Sequence, residues 1–75
     1  MKLKDCPKHT LFCVSSINIL DAKLKLRLHE IGLFKGSKIQ LLNSSFLKNT
    51  MLIQVLDSCF AIKADVANNI EVEYV

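Results

Sequence analysis

The chain has 75 residues, enough for one domain with a modest core. Its hydrophobic content of 51% excludes a disordered tail, and no apolar run approaches the roughly 18 residues that a membrane span needs. The net charge of +3 is mild and unevenly placed: residues 1–48 carry +6 and residues 49–75 carry −3, with no run of Lys or Arg.

That asymmetry is compatible with a basic face toward an acidic partner, a membrane surface or nucleic acid, or with scattered solvated lysines. The apolar content exceeds what so small a domain hides easily, which points to a partner surface. Cys6, Cys13 and Cys59 are odd in number, widely spaced and lack a CxxC pair. Reduced thiols fit them better than a disulfide framework. The segment Met1-Lys2-Leu3-Lys4-Asp5 has no signal-like apolar stretch, so a soluble, cytoplasmic protein is expected.

Residues 2–9 read as an irregular or short helical lead-in broken by Pro7. Thr10–Ile17 alternates as a strand, with Phe12 and Val14 on one side and Leu11 and Cys13 on the other; Ser15, Ser16 and Asn18 loosen its end. Asp21 has the carboxylate of an N-cap. Leu20, Leu24, Leu28 and Ile31 then follow at spacings of four, four and three, the stripe of a helix over about 21–31. Gly32 is placed to end it in a left-handed conformation, and Gly36 to open the next strand. Ile39 and Leu41 alternate against Lys38 and Gln40 over Ser37–Asn43.

Asn43-Ser44-Ser45 reads as the start of a loop that continues through Phe46 and Leu47. Met51–Leu56 and Cys59–Lys63 are strands joined by a hairpin connection at Asp57-Ser58. A short helical turn at about 64–68 precedes the alternating strand Ile70–Tyr74. The expected fold is mainly β: a closed five-stranded barrel of one domain over residues 1–75, carrying one inserted helix.

The stretch with Leu24, Arg27, Leu28, Glu30, Ile31, Gly32, Leu33 and Gly36, then Ile39, resembles the central signature of the ferrous iron transport protein A (FeoA) family. The end, Ala61-Ile62-Lys63, Asp65, Ala67 and Ile70-Glu71-Val72-Glu73, is similar to that family's closing strand; Leu3, Asp5 and Cys6 match its start more weakly. The family often has a glycine where this chain has His9, and its hairpin glycine corresponds to Asp57. The resemblance implies an SH3-like barrel. It also implies a cytoplasmic, non-enzymatic accessory that contacts the FeoB ferrous iron transporter, a membrane protein with a cytoplasmic G-protein domain. The same fold occurs in iron- and manganese-dependent repressors, whose DNA-binding domain these residues do not contain.

No catalytic spacing is visible, and no cofactor or metal site is expected. His9 and His29 are the metal candidates that the iron connection raises, but His29, with Lys23 and Lys25 near it on the helix, gains no ligand partner. Cys13 and Cys59 are expected as small buried hydrophobes, while Cys6 is free to be exposed. Leu26 lies opposite the helix stripe, near Ala22. The outward set Ala22, Lys23, Lys25, Leu26 and His29, joined by Phe46 and Leu47, is therefore the expected partner surface. Leu24, Arg27, Leu28, Gly32, Leu33 and Gly36 are assigned to building the fold. The competing readings are a nucleic-acid-binding barrel, which the scarcity of aromatics opposes, and a metal-sensing domain. No nucleic-acid partner is expected; self-association is left open.

Overall fold

The computed structural model describes residues 1–45 and 49–75. A 3-10 turn, Leu3–Asp5, precedes β1 (Phe12–Ile17), α1 (Ala22–Glu30), β2 (Lys38–Ser45), β3 (Thr50–Val55), β4 (Ser58–Lys63), α2 (Ala64–Ala67) and β5 (Ile70–Tyr74). The strands are antiparallel and form one sheet in the order β4-β3-β2-β1-β5. The mainly-β architecture with one inserted helix is as the alternation indicates.

Closure is different. β4 and β5 end the order and are not hydrogen-bonded neighbours. Instead, the first residues cover the free edge of β5. Lys2 bridges Glu71, and the Val72 N–H donates to the Met1 carbonyl at 2.6 Å. The N-terminal ammonium lies 3.3 Å from the Glu71 carboxylate. A short added segment thus protects the edge that a closed barrel would have paired.

The core follows from the strand period of two. Phe12, Val14, Ile39, Ile53, Val55, Ile70 and Val72 are buried, and Leu3 from the 3-10 turn seals one end. Phe12 also packs on the ring of Tyr74, with centroids 4.8 Å apart. Each side chain of this size contributes about 1.5–3 kcal/mol on leaving water.

Three local expectations are corrected. Asn43, Ser44 and Ser45 do not start a loop but finish β2, opposite Leu52, Met51 and Thr50. A register shift at Leu42 lets the strand continue, and its pairing is a backbone property that polar composition hides. Leu20 does not join the helix stripe and is fully exposed, because it precedes the cap and lies outside the helical turn; Ile19 packs toward the core instead. The cysteines exchange places: Cys6 is buried, Cys13 is half-buried and Cys59 is exposed on the outward side of edge strand β4. The Cys6 thiol donates to the Leu3 carbonyl at 3.1 Å. Burial pushes its pKa up, and the charge of Asp5 adds to the rise.

The hairpin connection is also moved by one residue. Val55 pairs with Ser58, so the two-residue loop is Leu56-Asp57. Leu56 takes the left-handed conformation, with φ +56°, and its side chain is 81% exposed. Holding a leucine there costs roughly 1–2 kcal/mol with little burial to offset it. Leu56→Asn is expected to stabilise the domain by about 1 kcal/mol, raising the midpoint of thermal unfolding by about 4–8 °C. An unchanged or lower midpoint would show that Leu56 contributes packing that outweighs the backbone strain. His9 is likewise left-handed, with φ +60°, at the turn where the resembled family often has glycine.

Candidate functional site

α1 starts where Asp21 stops the extended chain. The Asp21 carboxylate accepts from the N–H groups of Lys23 at 3.0 Å and Leu24 at 3.3 Å. This satisfies donors that the first turn leaves free. The helix ends in a Schellman motif. The Gly32 N–H donates to the His29 carbonyl at 3.0 Å, and the Leu33 N–H to the Leu28 carbonyl at 2.8 Å. Gly32 has φ +94°, as its sequence position requires, and Leu28 and Leu33 are the buried apolar pair that accompanies this motif.

The turn after the helix fastens it to β1. The buried Ser37 hydroxyl donates to the Gly32 carbonyl and accepts from the Phe34 N–H. The Gly36 N–H donates to the Val14 carbonyl, and the Val14 N–H to the Ser37 carbonyl, both at 2.8 Å. Gly36, at φ +95°, therefore makes this turn; β2 begins two residues later at Lys38.

Two surfaces of α1 result. The outward side carries Ala22, Lys23, Lys25, Leu26 and His29, all exposed. Leu26 is 58% exposed, and Ala22 precedes it by one helical turn. Phe46 and Leu47, named with them from the sequence, lie outside the described residues. His29 leans on Phe34, ring centroids 4.8 Å apart, with the planes tilted 36°. His9 is exposed on the turn before β1. Among the described residues, no three His, Cys, Asp or Glu side chains gather as metal ligands would.

The inward side was only partly legible. Leu28 is buried, while Leu24 and Ile31 are half-buried. With Phe60, Ile62 and Val66 they line an open groove of about 510 Å³ between α1 and the outer edge of β4. Arg27 and Lys63 stand along the same groove. Arg27, assigned to the fold from the sequence, is exposed here. In the sequence, Phe60 and Ile62 alternate onto one side of their strand, but that this strand ends the sheet is a property of topology.

A second cavity, of about 220 Å³, lies between α1, β1 and the turn at Leu33–Lys35. Ser15, Ser16, Lys25, His29 and Lys35 border it. In the sequence the two serines show only as residues that loosen the end of β1.

The structure is similar to that of FeoA from Chlorobium tepidum, with TM-score 0.90 and 21% identity, covering 100% of this chain and 70% of that one. It is similar to Stenotrophomonas maltophilia FeoA complexed with zinc, described as a procaryotic SH3 domain protein, with TM-score 0.79 and 28% identity over 97% of this chain and 89% of that one. It also resembles ScaR with bound zinc, with TM-score 0.84 and 17% identity, where it covers 100% of this chain and 37% of that one. No curated protein matches the chain in sequence. The FeoA domain model matches residues 1–74, so the SH3-like fold and the signature around Gly32 have one explanation: the chain belongs to the FeoA family.

Proposed function

We propose that this protein is a non-enzymatic, cytoplasmic accessory of ferrous iron uptake. It acts by docking on the cytoplasmic part of a FeoB-like transporter through the outward face of α1. Membership of the FeoA family supports the process. The Stenotrophomonas maltophilia relative is itself described as a candidate activating factor of bacterial ferrous iron transport.

The observation that carries the contact surface is Leu26. It is an exposed leucine on a helix whose apolar stripe points elsewhere, with Ala22, Lys23, Lys25 and His29 around it. An apolar centre within a charged rim is the usual build of a protein contact. Phe46 and Leu47 belong to the same proposal on sequence grounds.

Leu26→Asp is expected to leave the fold intact and to weaken co-purification with the transporter by about tenfold or more, the loss typical of a central contact residue. Circular dichroism checks the fold. Arg27→Glu, at the groove on the other side of the helix, is the comparison. Loss with that variant alone would move the contact to the groove. Undiminished association of folded Leu26→Asp would sink the outward-face reading.

A further inference from the structure

We propose that the cavity between α1, β1 and the Leu33–Lys35 turn binds a phosphate group. This inference does not depend on the transporter reading.

Three separate stretches of sequence bring hydrogen-bond donors to one place. Lys25 and His29 are one turn apart on α1 and share a face. Lys35 arrives on the turn that Gly36 and Ser37 pin to Val14. Ser15 and Ser16 arrive from β1 at a bulge: Val14 pairs with Val72 and Ser16 with Glu71, so Ser15 has no partner residue in β5. Bulges of this kind re-aim what a strand presents and take a residue out of the ladder.

The lining has one polarity. Two lysines, a histidine and two serines line the cavity, and no Asp or Glu does among the described residues. None of these five side chains makes a hydrogen bond or ion pair with another described residue. Glu71, opposite Ser16 in the ladder, lies 3.3 Å from the N-terminal ammonium of Met1. The α1 carbonyls at this end, which would repel an anion, are partly satisfied by the Gly32 and Leu33 N–H groups.

Size and floor narrow the ligand. At about 220 Å³ the cavity is smaller than sites for drug-sized molecules, but ample for a phosphate with a small attached group. Ile17 and Phe34 supply an apolar side, and Phe34 is 42% exposed. A phosphate monoester or diester with a short carbon moiety fits both halves. Such a group comes either from a small soluble phosphate compound or from an anionic lipid headgroup.

The test uses the whole chain at constant ionic strength. Inorganic phosphate and glycerol 3-phosphate are titrated in one arm, with chloride as reference, while backbone amide resonances are followed. In the other arm the protein is sedimented with phosphatidylcholine vesicles with and without phosphatidylglycerol. Lys25→Ala/Lys35→Ala is compared with Lys63→Ala, a cation elsewhere on the surface.

Saturable shifts at Ser15, Ser16, His29 and Lys35, weakened by about tenfold or more in the double variant and retained in Lys63→Ala, assign a soluble phosphate ligand. The same variant pattern seen only with phosphatidylglycerol vesicles assigns a lipid headgroup. Binding that survives in the double variant, binding weakened equally by Lys63→Ala, or absence of saturation with all probes overturns the proposal.

Discussion

Replacing Leu33 with alanine is expected to cost about 3 kcal/mol, within the roughly 2–5 kcal/mol range for a buried leucine. Leu33 is fully buried and is the residue through which the Schellman motif closes on Leu28. Its removal leaves a void where helix, turn and sheet meet, with loss of both transfer energy and packing. For a domain of this length the whole stability is about 4–11 kcal/mol, so one substitution consumes a large share. The thermal midpoint should fall by about 12–24 °C. Leu26→Ala, two turns earlier and exposed, should change stability by less than about 0.5 kcal/mol. A drop of similar size at both positions would mean that the buried Leu33 and the exposed Leu26 are not distinguished as described.

Gly32→Ala is the second large effect, expected at about 2 kcal/mol. Its φ of +94° strains any residue with a Cβ, at about 1–2 kcal/mol. An added Cβ would also meet Val55 Cγ1 at 3.3 Å, tight enough that the valine must shift. Gly36→Ala separates these contributions. Its φ is +95°, but a Cβ there meets nothing within 4 Å. Chemical denaturation of both variants should therefore show the larger loss at Gly32, and the difference reports the Val55 contact. Equal losses would attribute everything to the backbone.

What could be read in the sequence was local. The Asp21 cap, the Gly32 stop and the inward placement of Leu28 follow from period, capping chemistry and chirality, and the structure shows them; the alternation of β1 separates Phe12 and Val14 from Leu11 and Cys13, but which pair faces inward depends on the rest of the sheet. Errors arose where a residue's fate depends on distant segments. Cys59 alternates like a core residue, yet it lies on the outward face of a strand at the end of the sheet. Cys6 follows a charged stretch, yet the 3-10 turn folds it inward onto Leu3. Leu20 keeps the helical spacing without belonging to the helix. The two cavities beside α1 combine residues far apart in the chain, so no window of sequence displays either.

The strand order has a kinetic consequence. The β3–β4 hairpin closes across two residues, whereas β1 must wait for β5, pairing Phe12 with Tyr74 and Ile17 with Ile70 across most of the chain. Bringing such remote segments together costs more chain entropy than closing a tight turn. Pairings of that range are what slow small β proteins, to milliseconds or seconds. The β2–β4 meander is thus the natural nucleus. β1 holds to it through only two register pairs, Phe12 with Ile39 and Cys13 with Lys38. Assembly then finishes at the β1–β5 seam, where β5 docks and the first residues lie along its outer edge as a latch.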